Sequence, residues 1–255
     1  MAPGESAFVP APAGDLVTLE IGHAFAQVVR SLPSEAVGNV PEVRRTIDTQ
    51  LSLWRAPIDN ETFGPAHAAR WDQLGLRNDA GLELDTSVEA DTITHTVVVP
   101  DVLNDIPRVG VRLHVGPGVH AVDWFGLGSH ENYSDRCASA RLGVWHTPVD
   151  EWSVPYVNPQ HSGNRAGVRW LRLLDDSGAP LIVIDRMDDL NVTISRWTDE
   201  ELDAAQHLED LPDRDDCYVW ISARERGVGS GACGPDTSPE HRVRPGTYIW
   251  SYRLR

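Results

Sequence analysis

The chain has 255 residues, 41% of them hydrophobic, enough to bury about three-quarters of its unfolded surface without disulfide or metal staples, and all-β domains of this size fold as single units. Its 38 acidic residues outnumber 22 basic ones, every one an arginine, for a net charge of −16; such a surface repels phosphate backbones and anionic lipid, which argues against nucleic acid and membranes as partners and favours a neutral ligand. Three cysteines, Cys137, Cys217 and Cys233, share no metal-type spacing and fit reduced thiols in a cytoplasm rather than a disulfide framework.

Residues 1 to 14 are rich in Pro, Ala and Gly and read as a flexible lead-in. They lack the basic start and apolar run of a secretory signal, and no apolar stretch elsewhere approaches a membrane span, so the expected location is cytoplasmic. Residues 15 to 50 hold one short apolar run, Ala24 to Val29, then a charged, proline-punctuated stretch from Leu32 to Gln50 with no sustained period. From Thr92 onward the pattern is β. Thr92 to Val99 is the first strand candidate; next, Val109, Val111, Leu113 and Val115 alternate with Gly110, Arg112 and His114, the period of a half-buried strand. Leu181 to Ile184, Asn191 to Trp197 and Cys217 to Ser222 follow, and Tyr248, Trp250, Tyr252 and Leu254 alternate with Ile249, Ser251 and Arg253. Between the strands, Thr198-Asp199-Glu200-Glu201 is a capping box that predicts a short helix to about Leu208. Most of the nine tryptophans, Trp170, Trp220 and Trp250 among them, are expected in the core. The ten histidines show no standard ligand spacing, so neither metal nor cofactor is expected.

Four segments carry chemistry. Arg55 to Asn60 reads Arg-Ala-Pro-Ile-Asp-Asn; Trp124 to Arg136 packs aromatics, turn glycines and polar groups together; Tyr156 to Arg165 contains Tyr-Val-Asn-Pro-Gln; Gly227 to Asp236 is a glycine-rich loop that lacks the Lys-Ser/Thr ending of a phosphate loop. In this order they resemble the signatures of the β-galactosidase small chain, the C-terminal sandwich of glycoside hydrolase family 2 β-galactosidases. The resemblance covers residues 51 to 255 and implies an all-β supersandwich of the galactose mutarotase-like type. Residues 1 to 50 are then a divergent lead-in that supplies first strands in the family. Glycoside hydrolysis needs two carboxyl groups across the scissile bond, and the family carries them on a (β/α)₈ barrel of about 250 residues, for which this chain has neither room nor pattern. The resemblance therefore implies a component with no catalytic residues of its own, whose partner is a β-galactosidase large subunit or covalently preceding domains, whose ligand is a galactoside, and which is open to homo-oligomerisation.

Carried onto this sequence, the resemblance makes Asp59, Asn60, Glu131, Asn132, Tyr133, Asp135, Arg136, Tyr156, Gln160, His161, Arg165 and Cys233 candidate carbohydrate contacts. Tyr133 offers a stacking face, with Asp135 and Arg136 placed to meet hydroxyls; an internal Asp-Arg pair bracing a turn fits the same residues. Asp59-Asn60 after Pro57 is also an ordinary turn sequence. His161 and Ser162 replace the acid and amide usual after Pro-Gln, so an acidic contact is missing and His161 could instead donate or accept a hydrogen bond. Cys233 is a contact residue in some relatives; a small buried thiol is the alternative. Two further functions fit the sequence: a stand-alone carbohydrate-binding module, and an aldose 1-epimerase-like enzyme with His161 and Glu131 as its acid and base.

Overall fold

The computed structural model describes residues 17–22, 25–30, 44–63, 66–229 and 234–255, with side chains from residue 49 onward. The strands are β1 (Val17–Gly22), β2 (Phe25–Arg30), β3 (Arg44–Ser52), β4 (Asp85–Glu89), β5 (Thr92–Val99), β6 (Arg108–His114), β7 (Ala121–Gly128), β8 (Arg141–Pro148), β9 (Arg165–Val168), β10 (Trp170–Leu174), β11 (Pro180–Asp185), β12 (Leu190–Ser195), β13 (Tyr218–Glu225) and β14 (Gly246–Leu254). They form two sheets, ordered β1-β2-β3-β6-β13-β12-β9 and β4-β5-β14-β11-β10-β7-β8. Every pairing is antiparallel. This is the expected all-β sandwich.

Alternation decides which side chains fill the space between the sheets. Val109, Val111 and Leu113 of β6, Val192 and Ile194 of β12, and Val219 and Ile221 of β13 are fully buried. They share one core with Leu171 and Leu173 of β10 and Trp250, Tyr252 and Leu254 of β14. Each such aliphatic side chain removed from water contributes about 1.5–3 kcal/mol. Trp250 is in the core as expected; Trp220 is buried but on the opposite face of β13 from the core residues Val219 and Ile221, and Trp170 is only half-buried.

The strands expected from Thr92 onward are all present, with ends shifted by a few residues; β4, β7, β8, β9 and β10 were not legible. In β7 the glycines of Trp124 to Gly128 had suggested a turn, but they lie in the strand. A Cβ on Gly126 would stand 2.9 Å from Val168 Cα, and one on Gly128 would stand 2.7 Å from the Trp145 ring. These glycines let β9 and the Trp145 indole approach β7 closely.

The single expected helix becomes three: α1 (Asp59–Thr62), α2 (His67–Gln73) and α3 (Asp199–Ala204). At α3 the capping box forms, with Thr198 Oγ1 accepting the Glu201 N–H at 3.3 Å and the Glu201 carboxylate accepting the Thr198 N–H at 2.9 Å. The helix stops at Ala204, short of Leu208, where a separate 3₁₀ turn runs over Leu208–Asp210. Among the described residues no helix is long and apolar enough to cross a membrane.

Candidate functional site

After β3 the chain runs through Arg55 into α1, and this arginine is a fastener. It is fully buried, and its guanidinium donates to Glu61 at 2.6 Å, to Glu225 at 3.1 Å and to the Arg226 carbonyl at 3.2 Å. Burial opposes the charge, but the Glu61 and Glu225 carboxylates outweigh it and hold the guanidinium above its ordinary pKa. Glu61 also accepts the Ile58 N–H at 3.1 Å, which closes the start of α1. The turn carrying Asp59 and Asn60 is thereby tied to the end of β13. Asn60 Nδ2 adds a hydrogen bond to the Val228 carbonyl at 3.0 Å, and Gln160 Oε1 accepts the Asp59 N–H at 3.2 Å.

The second wall comes from the loops after β7 and before β9. Glu131 accepts the Gly163 N–H at 2.8 Å and the Tyr156 hydroxyl at 3.4 Å, and it pairs with Arg136, whose guanidinium lies 5.4 Å from the centre of the Tyr133 ring. Burial and the Glu131 charge push the Tyr133 hydroxyl well above its usual pKa, so it stays protonated. His161 is 2% exposed and meets Tyr133 edge-on at 5.9 Å; its Nδ1 lies 3.3 Å from Arg108 Nη2. Since a guanidinium only donates, Nδ1 holds the lone pair and Nε2 the proton. Burial, then Arg55 and Arg108, lowers the imidazole pKa, so the ring is neutral at physiological pH.

These walls enclose a cavity of about 230 Å³ lined by Asp59, Asn60, Glu131, Tyr133, Arg136, Tyr156, Gln160 and His161, with Ile58, Val228 and Gly229. It combines carboxylates, a guanidinium, amides and aromatic rings around a space of hexose scale, the composition suited to a neutral polar ring.

A family model described as Beta galactosidase small chain matches residues 34–254. The chain belongs to the β-galactosidase small-chain family. A protein named Beta-galactosidase from Arthrobacter sp. is 30% identical over 262 residues, covering 81% of this chain and 26% of its own length. Another of that name from Aeromonas hydrophila is 29% identical, covering 80% of this chain and 23% of its own length. A third, from Vibrio vulnificus, is 30% identical over 80% of this chain and 23% of its own length. The chain thus spans about a quarter of the length of the curated relatives it matches.

Eight of the twelve candidate positions of this small chain line the one cavity; the others do not. Asn132 is fully buried, its Oδ1 accepting the Ala166 N–H at 2.9 Å and its Nδ2 donating to the His130 carbonyl at 3.0 Å, so it fastens its own loop to β9. Arg165, another candidate contact, does not line the cavity either. It is instead 3% exposed, donates to the carbonyls of Ser129, Gly163 and Trp152, and lies 4.6 Å from the Trp152 ring centre. Burial brings its pKa down to about 10, which leaves it charged. Asp135 lies behind the cavity, where its carboxylate accepts the N–H groups of Val228 at 3.1 Å and Gly229 at 2.8 Å and the Thr237 hydroxyl. The turn-bracing alternative fits Asp135, with backbone N–H groups rather than Arg136 as its partners. Cys233 lies outside the described residues.

Sequence reasoning missed the charged groups that support the cavity. Glu225 bridges Arg55 and Arg108, and Asp199 pairs with Arg108 at 3.2 Å. Asp199 stands out in the sequence only as part of the capping box, and Glu225 lies between Arg224 and Arg226, so neither carries a local sign of burial. Among the described residues, His67, Asp105 and Asp236 place metal-capable atoms together. Arg226 stands among them, 2.8 Å from Asp105 and 2.6 Å from Asp236, so a cation already neutralises these carboxylates.

Proposed function

We propose that this chain is the small-chain component of a cytoplasmic β-galactosidase. It presents the Asp59–Tyr156 cavity to carbohydrate and, through Gly227 to Asp236, completes the active site of a large subunit or preceding domains that carry the hydrolytic carboxylates. The observation that carries this reading is the convergence of residues from all four family motifs, from Ile58 to Gly229 in sequence, on one cavity. Family membership and the quarter-length match to proteins named Beta-galactosidase support it. In this assignment Arg136 and Asn60 donate to sugar hydroxyls, Asp59 and Glu131 accept from them, and Tyr156 lends an aromatic edge. Catalysis by His161 and Glu131 as an epimerase pair has weaker support: Glu131 already orders Gly163, Arg136 and Tyr156, and His161 Nδ1 is engaged by Arg108.

Titration with D-galactose tests the carbohydrate assignment. The Arg136 Nε–H and Tyr156 ring NMR signals are expected to move saturably and to lose that response in Asn60→Ala; signals that stay fixed at high millimolar galactose contradict it.

A further inference from the structure

β8 is the last strand of the second sheet. It pairs with β7 alone, over all eight residues and without a bulge, so among the described residues no strand lies beside the N–H and C=O groups along its other side. An open edge of this kind is a template for a further strand, and folds usually protect it with charge, brevity or irregular register. Two other edges have such protection: β4 is five residues long and begins and ends on exposed acids, Asp85 and Glu89, while β9 is four residues long with a register shift against β12.

The middle of β8 has none. Between Arg141 and His146 it reads Leu-Gly-Val-Trp, without a charge, and Leu142 and Val144 are 52% and 67% exposed. Trp124 of β7 fills the core, so its neighbour Phe125 faces outward; Val144 sits opposite Phe125, and Phe125 opposite Trp170 of β10. Phe125 and Trp170 are half-buried. An apolar row thus crosses three strands of the outer face and ends at the open edge, where covering it is favourable.

The charges at the two ends of β8 select what covers it. Arg141 stands at its start, and Glu151 in the turn just past its end. Both are exposed, and neither side chain has an ion pair among the described residues, whereas Asp150 next to Glu151 pairs with Arg196. A second copy of the strand running antiparallel, about a two-fold axis near Val144 and Trp145, brings Arg141 of each copy to the Glu151 end of the other and joins the two apolar rows. A parallel copy sets like charge beside like.

We propose that β8 is a self-association edge, at which a second copy of this chain pairs antiparallel and joins the two seven-stranded sheets across a two-fold axis, its direction set by reciprocal Arg141–Glu151 contacts. The proposal is independent of the carbohydrate assignment.

Sedimentation equilibrium of the 255-residue chain across the micromolar range tests it, with a reversible monomer–dimer equilibrium as the expected result. Arg141→Glu and Glu151→Arg, both at exposed positions that leave the fold intact, each set like charges together at both ends of the interface and weaken self-association about ten-fold. An equimolar mixture of the two variants recovers the dimer, because every end then meets its opposite; damage to either fold cannot produce that recovery. A wild-type chain that stays monomeric throughout overturns the proposal. So does a dimer whose affinity the two reversals leave unchanged, or one weakened by them that mixing does not restore.

Discussion

The carboxylate of Asp135 accepts the backbone N–H of Gly229 at 2.8 Å, which fastens the start of the glycine-rich loop to the segment that carries Tyr133 and Arg136. Gly227 and Val228, at the start of that loop, are buried. Burial raises the Asp135 pKa, but the Thr237 hydroxyl and the N–H groups of Gly229 and Val228 outweigh it and hold the carboxyl below its ordinary value. A carboxylate with a depressed folded pKa contributes stability above its unfolded pKa, near 3.9, and that stability is lost as pH falls through the folded value. In Asp135→Ala, unfolding stability drops by about 1.5–3 kcal/mol at neutral pH. The deficit shrinks below about pH 4, as urea titrations across pH will show.

Gly227 lies against the same carboxylate. A Cβ there would overlap Asp135 and stand 2.6 Å from Thr237 Oγ1. Gly227→Ala should therefore destabilise by about 1–3 kcal/mol. In an Asp135→Ala background the same change should cost clearly less, a coupling that a double-mutant cycle measures. Additive effects would mean that the strain arises elsewhere.

Buried and exposed arginines are expected to differ sharply. Arg55→Met leaves Glu61 and Glu225 buried without their shared cation and should cost about 3–5 kcal/mol. Arg112→Met breaks a pair with Glu200 on the surface and should cost under about 1 kcal/mol. Thermal or urea denaturation of the two variants provides the comparison.

How much was legible follows from what each element asks of its sequence. β6 and β14 face the core on one side and alternate cleanly, so period 2 marks them. β8 does not: Leu142 and Val144 are 52% and 67% exposed, which puts apolar residues on its open face and blurs the pattern. β7 was hidden by glycines that serve close packing rather than turning. α1 and α2 are too short for a helical period to register. The candidate site was legible through motif resemblance, which brought eight positions to one cavity. That Arg165 and Asn132 lie off the cavity was not legible, because a sequence cannot tell an arginine stacked on buried Trp152 from one that faces a ligand. In the buried network of Arg55, Glu225, Arg108 and Asp199, two members lie in motifs, but their pairing had no local signal, since the four are brought together only by the fold.

The most direct measurement is complementation. The Arthrobacter relative, truncated before the region that this chain matches, is mixed with this chain and assayed with a chromogenic β-galactoside. Its own removed segment serves as the positive control. The account predicts that this chain alone is inactive, that the mixture hydrolyses the substrate, and that Arg136→Ala reduces this recovery at unchanged chain stability. Hydrolysis by this chain alone, or a mixture that stays inert while the relative's own segment restores activity, would contradict it.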